Sequence, residues 1–302
     1  MTSRSTIRLI AFSRPPALLV ALQRGFFAGE GLNVAYTKAT GSGAQLDGLL
    51  AGEHDIAHTA ADNIVARVDG GADLRIVLVA DLGAEHRLIG ASGIHTCADV
   101  AGGTLAVDAA ESGHAVLAYA ILAEAGIARG AYRVLPVGAT RARFDALRDG
   151  RAQAAMLSAP HDERAVAAGC HVLADAALRF PGHPRLTVAV RGAWGTEHRA
   201  EVAAYCRALI AGARWAADPA NAEAVTVLVA ADEGIDRVLA AMRVASGRLA
   251  PVPSLDAMAN AVRSVAALRT AVGLRGPDPA SGVDVGRYFD PSFARMADPA
   301  LG

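Results

Sequence analysis

Apolar positions change rhythm along the chain, alternating every second residue in some stretches and every three to four in others. "STIRLIAFS" (5–13) is a β-rich run that stops at Arg14-Pro15-Pro16, where proline ends a strand and can open a helix. "ALLVALQRGFFAGEG" (17–31) has helical spacing and ends on glycines suited to a C-cap. "LNVAYTKAT" (32–40) predicts a strand, and Leu46, Leu49 and Leu50 then share one face of a helix that Gly52 stops. "DIAHT" (55–59) predicts a strand and "DNIVARVDGG" (62–71) a short helix with Asp62 as its N-cap. "LRIVLVAD" (74–81) and "HRLIGAS" (86–92) predict two more strands. Strand and helix in alternation predict an α/β domain with a largely parallel sheet.

The same order then returns. "GTLAVD" (103–108), "YRVLPVG" (132–138) and "AQAAMLSAP" (152–160) predict strands, with helices at "SGHAVLAYAILAEAG" (112–126) and "RARFDALRDG" (141–150) between them. Aligning Leu49 with Leu147 places Gly52 on Gly150 and Ile56-Ala57 on Ala154-Ala155. It also sets the turn after Thr59 against Ser158-Ala159-Pro160-His161-Asp162. Two lobes of similar plan follow, each with a polar turn beyond the carboxyl end of a strand. After "LTVAV" (186–190) come Ala-rich helical patterns at 197–217, 220–231, 233–246 and 254–272, separated by Asp218-Pro219 and by Pro251–Pro253. These are expected to pack on the first lobe, and the weakly periodic tail 283–302 to cap a surface.

The length of 302 residues suits two domains. With 53% hydrophobic but only 5% aromatic residues, the core is one of Ala, Val and Leu, fit for close packing. No run reaches the ~18 apolar residues of a membrane span. A net charge of −1 without a basic block speaks against nucleic acid or an anionic membrane as partner. Cys97, Cys170 and Cys206 lack metal-ligand spacing and read as buried free thiols. Met1 leads into the first strand with no apolar leader, so the chain as written is expected in the cytoplasm, or in the periplasm if a leader was removed.

"ALQRGFFAGEGLNVAYTKATGSGAQLDGLLAGEHDIA", "DVAGGTLAVD", "ALRDGRAQAAMLSAP", "DPANAEAV" and "YFDPSF" resemble the NMT1/THI5-like group of type II periplasmic binding proteins. That group includes solute receptors of sulfonate, taurine, nitrate and pyrimidine-precursor ABC importers. The resemblance implies a two-lobed type II periplasmic-binding-protein fold with an interlobe ligand cleft. It implies a first lobe of 1–85 and 187–302 around a second lobe of 86–186, and an ABC permease as partner if the chain is exported. Two departures stand out: the missing leader, and Gln153 where the group usually carries Asp.

In open α/β sheets, ligands sit beyond the carboxyl ends of strands, near helix N-termini. That rule selects Ser13 and Arg14; Thr40, Gly41, Ser42 and Gly43; and His58, Thr59, Asp62 and Asn63. From the second repeat it selects Asp108, Ser112, Gly113 and His114; Gly138 and Thr140; and Ser158, His161 and Asp162. Gly41-Ser42-Gly43 can turn free N–H groups toward a small anion, yet it lacks the Lys of a phosphate loop and makes ATP an unsuitable ligand. His58 is read as a core or a cleft residue, since strand side chains alternate.

Three functions fit these residues. The first is a binding protein closing two lobes on a small polar ligand, a carboxylate, sulfonate or heterocycle, with no cofactor. The second is a cytoplasmic enzyme on the same fold, a decarboxylase, lyase or hydrolase with His161 as general acid/base positioned by Asp162. The cysteine-rich motif of THI5-like pyrimidine synthases is absent. The third places a divalent metal among His58, Asp62, His114, His161 and Asp162. Acids near the strand ends (Asp62, Asp81, Asp108, Asp162) favour an amine or polyol, whereas Arg14, Arg141 and Arg143 favour an anion. Ser42, Thr59, His114 and His161 are expected around one pocket.

Overall fold

A computed structural model describes residues 4–84, 86–245, 252–276 and 282–302. The expected helix and separator positions at 246 and 251, and the expected boundary residue 85, lie outside the described residues. The chain forms two compact units, Met1–Leu82 with Pro184–Val262 and Asp284–Gly302, and Gly83–His183 with Arg263–Val283. The resemblance implies a first lobe that takes in all of 187–302; residues 263–283 instead belong with the second unit.

The first unit begins with β1 (Ser5–Ala11), α1 (Pro16–Gln23), α2 (Phe26–Gly29), β2 (Leu32–Lys38), α3 (Ser42–Leu50), β3 (Ile56–Thr59), α4 (Ala61–Asp69) and β4 (Leu74–Leu82). The second unit follows with β5 (Arg87–Gly90), β6 (Thr104–Val107), α5 (Gly113–Glu124), β7 (Arg133–Pro136), α6 (Thr140–Arg148), β8 (Ala154–Leu157), α7 (His161–Ala167), β9 (His171–Asp175) and α8 (Ala176–Arg179). The chain then returns through β10 (Pro184–Arg191), α9 (Gly192–Glu197), α10 (Arg199–Ala217), α11 (Ala222–Glu233), α12 (Arg237–Ala245), α13 (Leu255–Ala271) and α14 (Pro291–Ala297).

Each unit has a five-stranded sheet, ordered β2-β1-β3-β10-β4 and β7-β6-β8-β5-β9. β1 pairs in parallel with β2 and β3, and β6 with β7 and β8. β10 runs antiparallel between β3 and β4, and β5 antiparallel between β8 and β9. The sheets are therefore mixed, because the strands next to each crossing between units run against the repeat. β9 was not recognised in the sequence, since "HVLAD" is short and only one of its residues is buried.

In the second unit, Leu88, Leu105 and Met156 pack on one sheet face with Val116, Tyr119 and Ile121 of α5. Their strand neighbours Ile89, Ala106, Ala155 and Leu157 pack on the other with Ala146 and Leu147 of α6. Alternation along each strand thus fills both faces, as a helix-covered sheet requires.

In the first unit, small residues bring α10 onto α1. A Cβ added at Gly212 would collide with the backbone oxygen of Ala17 and lie 3.0 Å from the Ala21 methyl. The tail does more than cap a surface. Ile76 N–H donates to Tyr288 O (2.7 Å) and Asp290 N–H to Ile76 O (2.9 Å), so the tail adds a bridge to the outer edge of β4. Tyr288, Phe289 and Phe293 are buried there. The cysteines are free, but only Cys206 is buried; Cys97 and Cys170 are half-buried, a correction to the expectation. Among the described residues no helix is long and apolar enough to cross a membrane.

Gly212→Ala pushes a methyl against backbone rather than a flexible side chain, so overpacking should cost about 1–3 kcal/mol or more. Urea unfolding checks this, and an unchanged midpoint would contradict the packing.

Candidate functional site

The carboxyl edge of the first sheet is built around Gln45, fully buried in the first turns of α3. Its Nε2 donates to His58 O (2.9 Å) and to Ile10 O (3.3 Å), tying α3 to the ends of β3 and β1. Ser42, the first residue of α3, is thereby held at the same edge as Thr59, the last of β3. Gly41 precedes it in extended backbone with no side-chain cap, and a Cβ at Gly41 or Gly43 would meet nothing within 4 Å. The space above this turn is open. Asn63 Nδ2 donates to Thr59 Oγ1 (3.1 Å), which leaves the Thr59 hydroxyl hydrogen for another acceptor. Thr187 Oγ1 donates to Thr59 O (2.7 Å). Ser13 and Thr40 are exposed near the ends of β1 and β2.

Three candidates of this unit are placed otherwise than expected. His58 faces the core: its Nε2 lies 2.9 Å from Tyr205 Oη, and burial pushes the imidazole down to about 3. Asp62 is not an N-cap; it lies inside the first turn of α4, fully buried, with Ala60 at the cap. Arg14 pairs with Asp232 of α11 and sits 5.2 Å over the Tyr36 ring.

In the second unit Asp108, Ser112, His114 and Thr140 are brought together by Arg143. This side chain is only 2% exposed. Its Nε donates to Met156 O (2.8 Å), Nη1 to Gly138 O (3.0 Å) and Nη2 to Thr140 Oγ1 (2.8 Å). Asp108 Oδ1 stands 3.8 Å from Nη1, and Asp108 Oδ2 3.5 Å from His114 Nδ1. Burial by itself would raise the Asp108 pKa. Hydrogen bonding and charge from His114, the Ser112 hydroxyl and Arg143 outweigh that and hold it well below the usual carboxylate range. Ser112 caps α5, accepting from Ala115 N–H (3.2 Å) while donating to Asp108, so its hydroxyl is occupied on both sides. The ring of His86, missed in the sequence, lies 3.9 Å from that of His114.

Ser158 is half-buried after β8, and His161 opens α7. The His161 Nδ1 has no hydrogen-bond partner, and its ring lies 5.6 Å from Phe144. Burial, with Arg164 and Arg141 nearby, lowers its pKa. Asp162 does not position it. That carboxylate is buried 3.5 Å from Arg87 Nη1, and Arg87 also bonds Asp175 through Nε (3.2 Å). The expected acid/base dyad is thus an Arg–carboxylate contact. Among the described residues no three His, Cys, Asp or Glu side chains converge as metal ligands. His58, one of the expected set, is committed to Tyr205.

Two α/β units with polar turns at the carboxyl ends of mixed sheets define a two-lobed periplasmic-binding-protein fold. The NMT1-like family model matches residues 6–230, and the chain belongs to that family. The same fold occurs in the alkanesulfonate-binding protein SsuA from Xanthomonas axonopodis pv. citri bound to MOPS, at TM-score 0.76 and 17% identity, covering 96% of this chain and 100% of that one. It occurs in the periplasmic nitrate-binding protein NrtA from Synechocystis PCC 6803, at TM-score 0.80 and 15% identity, covering 99% and 89%. The desulfurization enzyme DSZB shares it at TM-score 0.68 and 17% identity, covering 99% and 100%. No curated protein sequence matches the chain.

Arg143→Met keeps bulk but strips donors from two backbone carbonyls and removes the cation beside Asp108. The loss should be about 3 kcal/mol or more, since breaking a buried charged contact strands its partner. Urea unfolding reads it, and a change below ~0.5 kcal/mol would place Arg143 among ordinary surface positions.

His58 gives a pH signature. Its folded value is depressed to about 3 from an ordinary 6.5, so the unfolded chain binds the extra proton between these values. The stability it contributes is present above pH 6.5 and falls as pH drops toward 3, by up to ~1.4 kcal/mol per unit. His58→Phe should flatten the stability-versus-pH slope in that window even though it leaves Tyr205 unpaired. An unchanged slope would count against the assignment.

Proposed function

We propose that this chain is a solute-binding protein of the ABC-import type, which holds a small polar ligand and delivers it to a membrane permease. The observation that carries this reading is the set of hydrogen-bonding groups at strand ends, on a fold shared with sulfonate- and nitrate-binding proteins. Those groups are the Ser42 and Thr59 hydroxyls, the Asn63 amide and the imidazoles of His114 and His161. The first turn of α3 adds N–H groups without a side-chain cap, at the positive end of the helix.

The charged candidates are largely engaged within the protein. Asp232 holds Arg14, Asp145 holds Arg141 (2.9 Å), Arg143 and His114 hold Asp108, Arg87 holds Asp162, and Arg185 holds Asp81. Recognition therefore falls to donors and acceptors of modest charge. A sulfonate, a carboxylate or an acceptor-rich heterocycle fits such a set. The enzyme reading keeps one supporting feature, the unpartnered His161 Nδ1, but Asp162 is held by Arg87.

Calorimetry and thermal shift against alkanesulfonates, small carboxylates, nitrate and aminopyrimidines test the proposal. One class should bind, and His114→Ala and Asn63→Ala should each weaken it at least tenfold, about 1.4 kcal/mol, with unchanged circular dichroism. Turnover of the panel without stoichiometric binding, abolished in His161→Ala, would replace the receptor by an enzyme.

A further inference from the structure

An edge strand offers unpaired N–H and C=O groups to any strand that comes near, so proteins cover or blunt their sheet edges. The two sheets here end on β2, β4, β7 and β9. The β4 edge is covered by the tail, through the bridge of Ile76 with Phe289. The β7 edge closes on Pro136, which has no N–H to give. The β2 edge ends on exposed Lys38 and also exposes Asn33 and Thr37. β9 is guarded least. "HVLAD" holds neither proline nor lysine, and its far side pairs with no strand among the described residues. Its pairing with β5 takes up one extra residue, Leu173, a bulge that adds twist but removes no donor.

The side chains around this edge are apolar and exposed. Val172 lies opposite Ile89 and so shares the sheet face that α6 covers, where it is 45% exposed. Val166 of α7 is exposed as well, and its neighbour Ala165 packs on that same face. Leu178, 83% exposed, belongs to α8, whose Ala176 packs on the opposite face with α5. Single exposed valines and leucines need no explanation. These three bracket a strand whose backbone also lacks a partner, one flank on each sheet face. The open backbone decides the kind of occupant: a row of alternating donors and acceptors is answered by another β-strand.

We propose that β9 is the contact surface for a second copy of this chain, the two strands pairing antiparallel across a two-fold axis at Leu173. His-Val-Leu-Ala-Asp is complementary to itself in that register. His171 lies opposite the partner's Asp175 at one end, and Asp175 opposite the partner's His171 at the other. An acid thus meets an imidazole twice and no like charges oppose. Val172 lies opposite the partner's Ala174, a large side chain against a small one. Asp175 already accepts from Arg87 Nε (3.2 Å) and from Ala177 N–H (2.9 Å), and a carboxylate has acceptor sites beyond these two. The His95 ring lies 4.2 Å from that of His171 and adds an imidazole at the same end. An isologous contact of this kind uses up the β9 edge in both copies and closes the assembly. The inference stands apart from the solute reading, because it uses none of the strand-end groups proposed for the solute.

Sedimentation equilibrium of the full chain over a range of concentrations tests the contact, with amide hydrogen exchange as the local readout. The dimer fraction should rise with concentration, and exchange in 171–175 should slow along with it. Val172→Lys and Leu178→Glu change exposed positions, so circular dichroism should stay as in the wild type. Each should raise the dimer dissociation constant about tenfold or more. His171→Asp sets like charges opposite one another and should weaken the dimer, whereas His171→Arg should hold or tighten it. A chain that stays monomeric at every concentration overturns the proposal, as does a dimer indifferent to Val172→Lys and Leu178→Glu. A dimer lost in Met242→Glu of α12, another exposed apolar position, but kept in Val172→Lys moves the contact to the first unit and overturns it too.

Discussion

Arg143 stands where three connections of the second sheet meet. From the first turns of α6 it reaches the Met156 carbonyl of β8, the turn after β7 and the carboxylate after β6. None of these groups could be buried alone without losing hydrogen bonds to water. Together they satisfy one another, and the turns are held in place by that exchange. Ser112 and His114 depend on it at one remove, since both contact the Asp108 carboxylate that Arg143 anchors. Gln45 plays the neutral counterpart in the first unit, bonding the ends of β1 and β3 from α3. The two repeats reach the same end, a rigid edge bearing polar turns, by different chemistry at nearly equivalent helix positions.

Much of this architecture was legible in the sequence. Strand and helix periods gave the order of elements through β8 and the long helices α10 and α13, because each buries a continuous apolar stripe. What escaped notice has a common cause. β9 carries one buried residue, and the tail owes its place to Tyr288, Phe289 and Phe293 entering beside β4, a non-local match with no local period. At the candidate site, position along a strand located the turns but not the direction of each side chain. His58 and Thr59 are adjacent, yet one imidazole meets Tyr205 in the core while the neighbouring hydroxyl meets Asn63. Nor does sequence spacing reveal a partner far along the chain. Arg14 finds Asp232, and Asp162 finds Arg87.

The pairing of charges bears on how a solute would be recognised. The sequence displayed acids and arginines near the same strand ends and so pointed toward opposite kinds of ligand. In the folded chain Asp108 lies beside Arg143, while Arg14, Arg141, Asp81 and Asp162 are each paired with a charge elsewhere, so the proposed recognition rests on hydroxyls, an amide, imidazoles and backbone N–H groups instead. Hydrogen bonds of this type contribute about 0.5–1.5 kcal/mol each when water is the competitor. Several of them converging on one polar group give selective binding without an uncompensated charge being left behind when the ligand departs. For a solute receptor of the kind proposed, which releases what it carries, an edge whose strong charges are already answered within the fold is the physically consistent solution.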